Sequence, residues 1–156
     1  MIRGRGVTFE NHNGIAYPTV QAIIQAHRIV YDASQSSNDV ISFGPPNVGN
    51  IEGALAHIRD HVGKRGSQEA RIITKAAHLM LRIMAGHAFT DGNKRTSFTI
   101  GMLFLTVNGI EMRDLSFDQY TRSLAFFRRI ASSTVHDTNS IRALRSWIQR
   151  RVEHDN

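Results

Sequence analysis

The chain has 156 residues, 41% hydrophobic and 21% charged, with no cysteine. This suits a single globular domain with a substantial core and excludes disulfides and thiolate zinc sites. A net charge of +6 favours an anionic partner without choosing among nucleic acid, nucleotide and acidic protein.

Met1-Ile2-Arg3-Gly4-Arg5-Gly6 lacks the apolar stretch of a signal peptide. No apolar run approaches the roughly 20 residues of a membrane helix. A cytoplasmic protein without a membrane partner is expected. Residues 1–16, rich in Gly and Asn, read as an irregular or weakly extended lead-in. A helix is expected from near Pro18, a residue suited to a first helical turn, to about Ser34. Val20, Ile23, Ile24, His27 and Tyr31 recur in it at helical spacing. Ser34 to Asn50 reads as a loop containing Pro45-Pro46 and Gly49, with Val40, Ile41 and Phe43 as candidates for a short strand.

A second helix is expected from Ile51 to about His61, before Gly63-Lys64-Arg65-Gly66. A third runs from about Gln68 to Ala85 and is apolar nearly all round from Ala76 to Met84, the mark of a buried helix; Gly86 stops it. A fourth, from about Asn93 to Val107, is also apolar on most faces and stops at Asn108-Gly109. Ser116 caps a fifth through Ile130, and a sixth spans about Asn139 to Val152. The pattern is all-α with one short hairpin, without repeats or linkers, and the whole chain 1–156 reads as one domain. Arg128, Arg129, Arg142, Arg145, Arg150 and Arg151 gather in the later helices. Cations at helix C-termini account for them, and no groove-reading motif accompanies them, so a basic nucleic-acid-binding module stands only as an alternative.

The chemistry concentrates in His87-Ala88-Phe89-Thr90-Asp91-Gly92-Asn93-Lys94-Arg95-Thr96, between the two buried helices. The start of the fourth helix is a ready anion site. Gly92 lets backbone approach a bound group, and Lys94 and Arg95 add positive charge suited to phosphate oxygens. Asp91 beside such a site makes sense with Mg²⁺ between carboxylate and phosphate. His87 is able to take a proton near neutral pH, and Phe89 is expected to anchor the loop in the core. Together these residues suit phosphoryl-type transfer from a Mg²⁺-bound nucleotide.

Two look-alikes fail. A Walker A loop places Lys directly after its second glycine. Here five residues separate Gly86 from Gly92, and Asn93 intervenes before Lys94. His57 and His61 lie at i and i+4, but Ile58 stands where the zincin pattern needs Glu; a solvated helix face is expected.

The segment from His87 to Arg95 resembles the Fic/Doc family signature, His-Pro-Phe-x-(Asp/Glu)-Gly-Asn-(Gly/Lys)-Arg. Ala76-Ala77-His78-Leu79, Phe104-Leu105, Asn108-Gly109 and Asn50-Ile51-Glu52-Gly53-Ala54-Leu55 resemble its Doc (death-on-curing) branch, as does His27 in the first helix. The resemblance covers residues 18 to 150, approximately. It implies a Fic fold, an all-α helical bundle with a short β-hairpin flap, transferring part of ATP onto a protein hydroxyl. His87 would be the base and Asp91 the Mg²⁺ ligand. Gly92, Asn93, Lys94 and Arg95 would bind the phosphates. Phe43, Gly44, Pro45, Pro46, Asn47, Val48 and Gly49 would form the flap that holds the target.

Most adenylylating Fic proteins carry Gly where this chain has Lys94. In the Doc branch this Lys accompanies an inverted nucleotide and γ-phosphate transfer, with translation elongation factor Tu as the implied target. A Doc-like kinase is thus expected, with AMP transfer as the alternative. A silent interaction protein that keeps only the fold is a further alternative. Ala88 departs from the usual Pro. The family's inhibitory Ser/Thr-x-x-x-Glu-(Gly/Asn) motif is absent, because Val48 stands where the hydroxyl residue would precede Glu52-Gly53. Restraint of a toxin of this kind would then come from a separate antitoxin chain.

Overall fold

A computed structural model describes residues 3–4, 7–133 and 138–153. It is mostly helical, with a small antiparallel sheet at its N-terminal end. Strands β1 (Arg3–Gly4), β2 (Val7–His12) and β3 (Ile15–Pro18) pair in that order. The β2–β3 hairpin pairs Phe9 with Pro18 and His12 with Ile15. Asn13 and Gly14 form its two-residue turn, with φ of +54° and +86°. Such a turn demands positive φ at both positions, which Asn-Gly supplies at low cost. Val7, Phe9, Ile15 and Tyr17 are buried. The lead-in is therefore a hairpin packed on the core rather than an irregular segment.

A short hairpin accompanies the helices as expected, but it is β2–β3 and does not lie in residues 43–49. Residues 40–47 contain no strand: the amides of Ile41, Ser42 and Asn47 go to the Ser34 hydroxyl, the Asp91 carboxylate and the Ala88 carbonyl, and Pro45 and Pro46 have no N–H to give a ladder.

Helix α1 (Val20–Ser34) starts two residues after Pro18, since Pro18 belongs to β3 and Thr19 caps the helix through its Oγ1. Helix α2 (Val48–Asp60) starts ahead of Ile51 because Asn47 Oδ1 accepts the Asn50 N–H at 3.1 Å. Helices α3 (Gln68–Ala85) and α4 (Asn93–Val107) have the bounds expected of them. Helix α5 (Phe117–Ser132) opens on a capping box between Ser116 and Gln119. Helix α6 (Thr138–Gln149) ends before Val152, which instead bridges Met112.

Helix α3 is the hub, packing against α2, α4, α5 and α6. Ile72, Ala76, Ala77, Leu79, Met80 and Ile83 are all essentially inaccessible, and at about 25 cal/mol per Å² such apolar burial dominates the stability. Buried Lys75 donates its Nζ to the carbonyls of Ile58 (2.5 Å) and Val62 (2.9 Å), joining α3 to the C-terminal end of α2. Asn108 joins α4 to the hairpin: its Oδ1 accepts the Ala16 N–H and its Nδ2 donates to the Ala16 carbonyl, both at 2.9 Å. These bonds fix the first half of α3 and the C-terminal end of α4, and the loop from Gly86 to Gly92 spans the opposite ends of the two helices. No helix among the described residues is long and apolar enough to cross a membrane.

Candidate functional site

Gly86 ends α3, its N–H bonded to the Arg82 carbonyl at 2.9 Å. His87 then adopts a φ of +52°, in the left-handed region that a non-glycine residue occupies only where its surroundings hold it there. Its side chain is exposed, while Ala88 and Phe89 turn inward, only 1% and 4% accessible. Phe89 anchors the loop in the core as expected. Asn93 closes the loop: its Oδ1 accepts the Phe89 N–H at 2.9 Å and its Nδ2 donates to the Phe89 carbonyl at 2.7 Å. The Asn93 side chain thus shapes the loop, and its backbone N–H belongs to the helix start.

Gly92 is the N-cap of α4, at φ +79° and with no side-chain cap on the helix. The dihedral favours glycine, and a Cβ there would also displace the tip of Ile41, 2.7 Å away at Cδ1. An uncapped helix N-terminus leaves N–H groups unpaired within the helix, with partial positive charge.

Asp91 is held from three directions. Its Oδ1 accepts the Gly92 N–H at 2.8 Å and its Oδ2 accepts the Ser42 N–H at 2.9 Å. Its carbonyl lies 2.8 Å from His27 Nε2, so Nε2 carries the donated proton. His27 is buried in α1 and stacked face to face on Phe89, ring centroids 3.9 Å apart and planes 4° from parallel. Each carboxylate oxygen keeps a lone pair beyond the hydrogen bond it accepts.

His87, Asp91, Gly92, Asn93 and Lys94 line one cleft of about 600 Å³, walled opposite by residues 131–133 at the end of α5. Arg95 is not part of this wall. Its guanidinium pairs with the Asp39 carboxylate and donates to the Asp39 carbonyl at 3.2 Å. The structure therefore gathers five of the six loop residues singled out from the sequence and turns the sixth toward the segment before α2.

That segment lies against the loop. Gly44 abuts Thr90 so closely that a Cβ would fall 2.0 Å from its Oγ1. Asn47 donates its N–H to the Ala88 carbonyl at 2.7 Å, and Asn50 Nδ2 donates to the Gly86 carbonyl at 2.5 Å. Phe43 sets its ring edge-on to Tyr31, centroids 5.4 Å apart, yet remains 62% exposed. Pro45 is exposed and Pro46 half-buried. Val48 and Gly49 belong to the first turn of α2 rather than to the loop.

A second cavity, about 700 Å³, opens between α2, α3 and α6 beside Gly49 and Asn50. Here His57 turns from its i+4 neighbour His61 toward His78, Nε2 to Nδ1 at 3.3 Å. The face expected to be merely solvated thus contains an imidazole pair. Burial pushes His78 down to about 4, with His57 and Arg82 adding to the effect, and burial lowers His57 as well. Among the described residues, no three His, Asp or Glu side chains gather as a metal site.

His27, Ser42, Asp39 and Asn50 had no place in the site read from the sequence. The contacts of the first three span 49 to 64 residues, and no local pattern announces them. The signals were the helical phase of His27, which turns it inward, and the resemblance of His27 and of the segment opening at Asn50 to the Doc branch.

The helical architecture, the α4 start without a side-chain cap and the cleft lined by a histidine, a carboxylate and a lysine are parts that transfer from a nucleotide requires. A family model described as the Fic/DOC family matches residues 17–105, more than half of the chain, and the chain belongs to that family. Its members are in general nucleotide-dependent, protein-modifying transferases that use ATP with Mg²⁺. Comparison with curated proteins and with solved structures found no match.

Proposed function

We propose that this chain is a Doc-type protein kinase that transfers the γ-phosphate of ATP to a hydroxyl of a target protein. Lys94 carries this reading. It stands where adenylylating relatives have glycine, and it lines the same cleft as His87 and Asp91. Glycine there would admit a phosphate against the backbone; lysine fills that space and offers a flexible point charge in its place.

His87 takes the proton of the target hydroxyl while that oxygen bonds to the γ-phosphorus. The bond from γ-phosphorus to the β,γ-bridging oxygen breaks, and ADP leaves. The backbone N–H groups of Asn93 and Lys94, at the uncapped start of α4, donate to phosphate oxygens. Gly92 lets the phosphates come close, and Lys94 adds charge. Arg95 joins them on leaving Asp39. Asp91 would hold Mg²⁺, a hard cation suited to one carboxylate plus phosphates and water, which when bound neutralises charge on the phosphates. The exposed apolar side chains of Phe43 and Val48 and the backbone of residues 44–47 would hold the target segment across the cleft. Elongation factor Tu is the target that the Doc resemblance suggests, and a separate antitoxin chain would restrain the activity.

The test is intact-mass analysis of proteins from a lysate, and of purified elongation factor Tu, after incubation with this chain, ATP and Mg²⁺. A phosphate increment is expected. An AMP increment reassigns the chain to adenylylation, and no increment beside a working positive control rejects both chemistries.

A further inference from the structure

We infer that His27 is a positioning residue for the divalent-cation site, acting through the Asp91–Gly92 peptide. The inference rests on the reading of Asp91 as the Mg²⁺ ligand. This peptide is pinned at both ends: its carbonyl accepts from His27 Nε2 at 2.8 Å, and its N–H donates to Asp91 Oδ1 at 2.8 Å. The second bond orients the carboxylate that faces the cleft. Gly92, at φ +79°, has no Cβ to resist rotation of this peptide, so external bonds must fix its sense.

His27 is built to be that fixture. It is 5% exposed. Its ring lies flat on Phe89 at 3.9 Å, and Phe89 is in turn clasped by Asn93 through both backbone groups. A Cβ on Gly92 would sit 3.6 Å from His27 Nε2, so the imidazole edge lies directly against the glycine. Without the Nε2–H donor, the Asp91 carbonyl loses its partner in a part-buried setting, and a flipped peptide turns the Gly92 N–H away from Oδ1. The carboxylate then loses one of the two bonds that fix its direction and keeps only the Ser42 N–H on Oδ2. Donors that orient a metal ligand are worth roughly 10- to 100-fold in metal affinity, and His27 orients this one through the Asp91–Gly92 peptide.

His27→Phe keeps a ring against Phe89 and removes the donor; His27→Gln keeps an N–H donor and removes the ring. The experiment is a calorimetric titration of a non-hydrolysable ATP analogue at a series of Mg²⁺ concentrations, with circular dichroism to check folding. For His27→Phe the Mg²⁺ concentration giving half-maximal enhancement of nucleotide binding should rise roughly 10-fold or more. For His27→Gln it should stay within about threefold of wild type, as a retained donor requires. A folded His27→Phe with wild-type Mg²⁺ dependence overturns the inference, as does a His27→Gln impaired as strongly as His27→Phe. Asp91→Asn separates the two levels. If it leaves the Mg²⁺ dependence unchanged, the metal-ligand reading falls and the inference with it. If it abolishes that dependence while a folded His27→Phe keeps the wild-type dependence, only the positioning role falls. Nitrogen NMR on the wild-type chain requires no variant: His27 must show its proton on Nε2, and a neutral Nδ1–H tautomer overturns the inference.

Discussion

The Asp91 carboxylate accepts the backbone N–H of Ser42 at 2.9 Å, binding the loop that opens α4 to the segment that precedes α2. The two segments lie 49 residues apart in sequence and act as one unit. Gly44 against Thr90 and Asn47 against Ala88 extend the seam. Gly44→Ala should therefore force the seam open, since its Cβ would meet Thr90 Oγ1 at 2.0 Å and Thr90 Cβ at 2.8 Å. The expected cost is about 1–3 kcal/mol, read as a lowered urea midpoint and faster proteolysis within residues 40–47. Thr90→Ala in the same chain should recover part of it, because Oγ1 and Cγ2 are removed while the Cβ at 2.8 Å stays. A Gly44→Ala chain as protease-resistant as wild type would show that the seam is not closed in solution.

His87→Ala should abolish target modification and leave folding nearly intact. The side chain is exposed, so little packing is lost, and a general base contributes about 10²- to 10⁴-fold. The positive φ of His87 strains any residue with a Cβ, histidine and alanine alike, so the exchange adds little strain. Modification rates and thermal melts of the same preparation check both parts, and persistent transfer would show that His87 is not the base.

Asp39→Asn should tighten ATP binding. Asp39 holds Arg95 away from the cleft, but its side chain is 80% exposed, and pairs of that kind are worth roughly 0.2–1 kcal/mol. An increase in nucleotide affinity of up to about fivefold is expected by calorimetry. Unchanged affinity would mean that Arg95 does not reach the phosphates.

The His57–His78 pair predicts a pH dependence of stability. Folding lowers both imidazoles, His78 to about 4 from an ordinary value near 6.5. Between these values the unfolded chain binds more protons than the folded one, so stability falls as pH drops from about 6.5 toward 4. Urea midpoints across that range should decline, and His78→Gln should flatten the decline while leaving stability at pH 8 less affected. An equally steep decline in the variant would place its origin elsewhere.

The bounds of α3 and α4 were legible because their stop and start signals are local: Ser67 and Gly86 flank one, Gly92 and Asn108 the other. The hairpin was equally local. Asn13-Gly14 between alternating apolar residues announced it, yet the many Gly and Asn residues of that stretch read as irregular. The strand expected near Phe43 failed for another reason. Strand propensity in residues 40–43 has no neighbouring strand to satisfy, and the Ile41 and Ser42 amides go to the Ser34 hydroxyl and the Asp91 carboxylate.

Composition, helical periodicity and one contiguous loop were enough to determine a helical protein with a phosphate-suited turn between two buried helices. Every residue that meets the cleft from that turn is a neighbour in the chain, so its chemistry survives in linear order. Tertiary structure alone decided how the turn is held: Lys94 in the cleft, Arg95 drawn to Asp39, and His27 and Ser42 fixing Asp91 from opposite sides. Those choices depend on which distant donors packing delivers to a backbone carbonyl or a carboxylate, and hydrogen bonds over about 3 Å leave no trace in sequence spacing.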